Sequence, residues 1–292
     1  MCEENNLLNT VFFTVDYFYF QVNRWMEIIG FVCALLVGIS LGLMGSGGSI
    51  LTVPIMVYIM HVNPIDATGY SLFVVGITSA IGCITYIRKK LVDLKIAAIF
   101  AVPSILSVFL TRKFLMPAIP NPIVFSSSFI ISKELFIMIL FAVLMVAFAF
   151  NMISKSDYKE ANDKEFQNLN YFWLFVIGFI SGILTGILGV GGGFIIIPAL
   201  VLIAKIPIRM SVGTSLLIIA FNSLSGFLGE VIVKHAVMDY KFLMIFALFS
   251  IIGIFIGFRV TLKLYPAQLK KMFGWFILVM GFFIFIEEIF FR

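Results

Sequence analysis

Gly38-Ile39-Ser40-Leu41-Gly42-Leu43-Met44-Gly45-Ser46-Gly47-Gly48, with Pro54 beyond it, returns 144 residues later. The second copy reads Gly182-Ile183-Leu184-Thr185-Gly186-Ile187-Leu188-Gly189-Val190-Gly191-Gly192, with Pro198 beyond it. The register persists: Gly69-Tyr70-Ser71-Leu72 aligns with Gly213-Thr214-Ser215-Leu216, and Ser79 and Gly82 align with Ser223 and Gly226. A glycine-rich interruption at corresponding places in two apolar halves is the sequence mark of a binding site between internal repeats.

The surroundings of the two copies are those of a membrane protein. Of 292 residues, 62% are hydrophobic and only 12% charged, and the mean hydropathy is +1.13, more apolar surface than a soluble domain can bury. Residues 28–60, 67–87, 96–111, 135–154, 166–204, 210–229, 242–258 and 272–286 contain no Asp, Glu, Lys, Arg or His. A helical span needs about 20 such residues, so 28–60 and 166–204 each exceed one span and must turn. The runs are continuous rather than alternating, which excludes a β-barrel and predicts an all-α, polytopic integral membrane protein. Cys2, Cys33 and Cys83 have neither pairing nor metal-ligand spacing and read as packing residues. Residues 7–22 are apolar and aromatic but contain Asp16, and Arg24 follows them, so they read as an interfacial or extra helix rather than a cleavable signal.

The duplication divides the chain into an N-terminal segment (1–25), a first half (26–153), a polar linker (154–170) and a second half (171–292). Helical segments are expected near 26–45, 49–61, 66–87, 94–112 and 133–152, then near 171–189, 193–205, 210–231, 240–260 and 272–290. The second segment of each half is about 12 residues, or roughly 18 Å, too short for a hydrocarbon core of about 30 Å. It reads as a half-helix entered through the glycine run. If segments alternate sides, one face collects Arg88, Lys89, Lys90, Lys95, the linker lysines, Lys205, Arg209, Arg259, Lys263, Lys270 and Lys271. That face is cytoplasmic by the positive-inside rule, and both termini lie outside. An odd number of crossings per half, or a re-entrant hairpin at the glycines, makes the repeats inverted. A single broken crossing makes them parallel. The loop charges favour the inverted arrangement.

Gly45-Ser46-Gly47-Gly48-Ser49 and Gly189-Val190-Gly191-Gly192-Gly193 are too glycine-dense for a continuous helix, since each glycine costs about 1 kcal/mol there. They predict breaks whose freed N–H groups stand at the start of a short helix, where positive potential suits an anion. Ser71, Thr214 and Ser215 would add hydroxyl donors, and Tyr70 takes the place of the threonine in the first half. Thr78 and Asn222 occupy equivalent positions two turns on, and Asn222 joins the expected binding set. For each of these side chains the plainer reading is an intrahelical or interhelical hydrogen bond, and for the glycines it is close helix packing. With no Lys or Arg in mid-segment, dipoles and hydroxyls would hold the anion. Asp66, Arg209, Glu230, Glu287 and Glu288 lie near segment ends and read as snorkelling interface residues.

At these residues the chain resembles the sulfite exporter TauE/SafE family of membrane anion transporters. The resemblance rests on the duplicated glycine run, the following proline, the Gly-Thr-Ser-Leu segment, and the turns Asp93-Leu94-Lys95 and Asp239-Tyr240-Lys241. It implies transport of sulfite, organosulfonates or related small anions across a cell membrane. Neither glycine run continues as a nucleotide-binding loop, so an ion gradient, with a proton or cation as coupling ion, or the substrate's own gradient would supply the energy. An anion channel would use the same site. An intramembrane enzyme would need a nucleophile with its base, or a metal cluster, at membrane depth, and neither is evident; no cofactor or nucleic-acid partner is expected.

Overall fold

The computed structural model describes residues 29–45, 47–126, 129–154, 171–189, 196–197, 200–201, 206–234, 239–263 and 266–290. Helix α1 is Ile29–Met44. Helix α2, Gly47–Pro54, passes into a π-helical turn, Ile55–Ile59, directly after Pro54. Proline cannot continue the ordinary ladder, and the wider turn absorbs that. Helix α3 is Pro64–Arg88, and α4 is Leu94–Leu110, prolonged by a π-helical turn, Thr111–Leu115, and by Met116–Ala118. A small hairpin, β1 (Ile123–Ser126) with β2 (Phe129–Ile131), leads to α5 (Lys133–Ser154). The second half supplies α6 (Tyr171–Leu188), α7 (Ile208–Lys234), α8 (Tyr240–Thr261) and α9 (Pro266–Phe290).

The helices match the segments read from hydropathy, and the acidic turns start two of them. The Asp93 carboxylate accepts from Ile96 N–H at 3.0 Å and the Asp239 carboxylate from Phe242 N–H at 3.0 Å, each an N-cap. The expected segment 193–205 lies mostly outside the described residues, where only Ile196, Ile197, Leu200 and Val201 are seen as helical. The expected N-terminal segment and most of the linker also lie outside them. Among the described residues, five helices are long and apolar enough to cross a bilayer. Large apolar side chains face outward, with Val102 67%, Phe172 69% and Val279 62% exposed. Outward apolar residues on this scale suit lipid rather than water. The chain is an integral, multi-pass membrane protein.

Side-chain contacts give the helix directions. Ala34 carbonyl accepts from Ser250 Oγ and Gly42 carbonyl from Thr261 Oγ1, so α1 and α8 run parallel. Tyr70 stacks near Phe242 and Tyr86 near Phe258, so α3 runs parallel to α8. Asn222 bonds Ser104 and Glu230 pairs with Arg112, so α7 runs parallel to α4. Between α3 and α7 the order reverses: Phe73 meets Phe227, while Cys83 Sγ lies at Gly213 carbonyl. Thus α1 and α3 point one way and α7 the other.

Because α1 and α3 point the same way, the chain between them has to return. It does so along α1 itself. Gly48 packs on Val37 and Leu41, and Gly30 packs on Met60. α1 and α2 therefore form an antiparallel hairpin with its apex at Gly45, so the first glycine run turns the chain back instead of breaking one crossing.

With these directions, the end of α3 and the start of α8 lie on opposite membrane faces. In a cysteine-free background, an impermeant maleimide added outside intact cells should label Lys241→Cys and not Lys89→Cys. Labelling of both from outside would contradict the arrangement.

Candidate functional site

Each glycine run closes against a helix start in the other half. Gly45 has φ +68° and Gly189 φ +69°. Their N–H groups still bond back to Leu41 carbonyl (2.7 Å) and Thr185 carbonyl (2.8 Å). Such left-handed turns end helices and cost residues other than glycine about 1–2 kcal/mol. Both sites are also points of close approach. A Cβ on Gly45 would stand 2.8 Å from Val212 carbonyl oxygen and 2.6 Å from Ser215 Oγ in α7, and one on Gly189 would collide with Thr68 in α3.

The expected residues gather in two clusters instead of one. Gly189 lies at Thr68, near the start of α3, with Ser71 buried one turn further on. Gly45 lies at Val212 and Ser215, and the intervening Gly213 packs on Tyr86, near the other end of α3. Thr68 and Tyr86 are 18 residues apart on one helix, or about 27 Å. Between them, where α3 and α7 cross, sit Thr78, Ser79, Asn222 and Ser223. Asn222 Nδ2 donates to Ser104 Oγ at 2.6 Å. Asn222 Oδ1 and the hydroxyls of Thr78, Ser79 and Ser223 are buried without a hydrogen-bond partner among the described residues, as is the hydroxyl of Ser71.

Other expected residues are engaged locally. Thr214 Oγ1 accepts from Asp93 N–H at 2.9 Å, and Tyr70 Oη accepts from Asp239 N–H at 3.4 Å, so this pair ties each helix to a turn of the opposite half. Ser215 Oγ donates to Val212 carbonyl at 2.8 Å. Ser49 is buried in α2, where Gly47 forms the first turn and Gly48 packs on α1. Ser46, Gly191, Gly192 and Gly193 lie outside the described residues. A groove of about 460 Å³ between α4 and α6, lined by Leu110, Phe114 and Phe179 with Ser107 and Thr111, contains none of the expected residues.

A family model described as "Sulfite exporter TauE/SafE" matches residues 30–284. This chain belongs to the TauE/SafE family. It is 30% identical over 272 residues to a protein of Methanocaldococcus jannaschii named "Probable membrane transporter protein", covering 88% of this chain and 92% of the relative. A Xylella fastidiosa protein of the same name is 26% identical over 253 residues, covering 85% and 91%. The Bacillus subtilis protein YunE, also so named, is 28% identical over 225 residues, covering 71% and 80%. No solved structure matches significantly. Family, relatives and helices together make this TauE/SafE protein a membrane transporter.

Three charged residues of this family member are placed differently from the sequence expectation. Arg112, at the end of the expected segment 94–112, lies within the prolonged α4 and is 1% exposed. Glu230, expected to snorkel, is 4% exposed and pairs with Arg112 at 3.0 Å. Glu288 is buried too and accepts from Tyr58 Oη at 2.9 Å. A buried cation does therefore sit in a membrane-spanning segment. The sequence held one signal for it. Glu230 stands 144 residues after Tyr86, and each faces the glycine that opens a motif, Glu230 at Gly69 and Tyr86 at Gly213.

Gly45→Ala and Gly189→Ala should each destabilise the protein by about 2 kcal/mol or more, the left-handed cost alone being about 1–2 and the contacts adding to it. Thermal unfolding in detergent checks this, and an unchanged Tm in both variants would contradict the two turns.

Proposed function

We propose that this protein is a secondary carrier for small sulfur oxyanions, sulfite and organosulfonates among them, working by alternating access. The observation that carries the reading is the pair of left-handed glycine turns, each pressed against a helix start of the opposite half. Helix starts covered by protein suit an anion, because they offer positive potential with little competing solvent.

The two halves, 26–153 and 171–292, form an inverted repeat in this account. The antiparallel α3 and α7 support it, as does the recurrence of contacts one repeat apart. Val62 N–H bonds Met56 carbonyl, and Ile206 N–H bonds Leu200 carbonyl in the same register. Asp93 N–H finds Thr214 while Asp239 N–H finds Tyr70. One glycine turn then serves each membrane face. The anion passes between the Gly189 end, with Ser71, and the Gly45 end, with Ser46, Gly47 and Ser215. On the way it crosses the hydroxyl belt of Thr78, Ser79, Asn222 and Ser223. Gly191, Gly192 and Gly193 supply further amides to the anion. A rocking of the two halves exposes one end at a time. A proton or cation gradient drives it in the cell membrane, with no chemical step.

Uptake of 35S-sulfite and of sulfoacetate into proteoliposomes tests the reading. We expect saturable flux that Gly189→Leu abolishes and that Ser71→Ala reduces about tenfold, the loss of one charge-assisted hydrogen bond. Flux that rises linearly with concentration would favour a channel, and no flux of either anion would overturn the substrate class.

A further inference from the structure

We propose that Arg112 is the cationic contact for the transported anion at the Gly189 end, and that Glu230 is the resident carboxylate which the anion displaces. The assignment rests on the carrier reading above and names the residue that reading lacks.

Among the described residues Arg112 finds partners for one nitrogen only. Nη1 donates to Glu230 Oε2 at 3.0 Å and to Thr68 Oγ1 at 3.1 Å. Nε and Nη2 are buried and have no hydrogen-bond partner among the described residues. These two nitrogens form the side-on edge of the guanidinium, the fork that meets two oxygens of one oxyanion. Leaving both donors unpaired at this depth is costly. The edge is close to the glycine turn, since Thr68, which Nη1 holds, is the residue on which Gly189 packs.

The other half of the chain bears on whether the charges are only structural. One repeat away, Tyr86 stands 144 residues before Glu230, and Phe258 stands 146 residues after Arg112, the offset that also relates Asp93 to Asp239. Those rings stack edge-on with centroids 4.8 Å apart, and Tyr86 Oη donates to Gly42 carbonyl at 2.7 Å. The same slot is therefore filled in this chain by an uncharged pair. Packing does not require ions there, and buried pairs commonly give way to apolar side chains without loss of stability. Charges kept inside a membrane protein despite that mark a substrate or ion pathway. Glu230 has a second consequence. It neutralises Arg112 while no anion is bound, so substrate must compete with a tethered carboxylate, and binding is weakened enough to be reversible.

The test is titration of purified full-length protein with sulfite and with sulfoacetate by calorimetry, alongside liposome flux. The variants are Glu230→Gln, Arg112→Gln/Glu230→Gln and the transplant of the other half's pair, Arg112→Phe/Glu230→Tyr. We expect Glu230→Gln to bind about tenfold tighter, because the competing charge is gone. Both double variants should keep a near-parental Tm yet bind at least about a hundredfold more weakly, as for loss of a bidentate charged contact. Parental affinity and flux in either double variant would overturn the assignment and leave the carrier reading intact. Unchanged or weaker binding in Glu230→Gln would overturn the role of Glu230. Failure of both double variants to fold would make the pair structural and overturn the proposal. A parental protein that neither binds nor moves either anion would instead refute the carrier reading.

Discussion

In hydrocarbon an unpaired backbone amide has no water to turn to, and the whole fold is arranged around that constraint. At Gly45 and Gly189 a helix ends in a left-handed turn, and each turn is covered by another helix. Gly45 is covered by α7 and Gly189 by α3. Each half thus completes the weak point of the other, which ties α3 and α7 into one antiparallel core. Gly-Tyr-Ser-Leu and Gly-Thr-Ser-Leu fall where that covering happens, so their small residues serve contact first. Thr214 and Tyr70 then fasten the opposite half's acidic turn.

The two ends of α3 differ in chemistry. At one end of α3 a tyrosine and a phenylalanine fill the slot, and at the other an arginine and a glutamate. The hydroxyl belt between them is uncharged. An anion following α3 from the Gly45 turn to the Gly189 turn would therefore leave dipoles and hydroxyls for a cation. The proposed route thus has two unlike ends.

The helices, the acidic caps, the membrane class and the family were legible in the sequence because each depends on local pattern: charge-free length, an aspartate before a helix, glycine spacing. The hairpin at Gly45 was legible only as one of two alternatives. Hydropathy says that residues 28–60 must turn but not which way, and Gly48 on Val37 decides it. The burial of Arg112 was not legible because it depends on a partner 118 positions away. A charge that close to a segment end looks the same whether it reaches for water or for Glu230. The separation of the two glycine turns was likewise invisible, since a repeat in sequence carries no distance.

The most direct measurement of the central claim is the anomalous scattering of selenite, a heavier isostere of sulfite, in crystals of the full-length protein. The account predicts a selenium peak at the Gly189 turn, within hydrogen-bonding reach of Arg112 and beside Thr68 and Ser71. A peak confined to the apolar groove between α4 and α6, or none near either glycine turn, would contradict it.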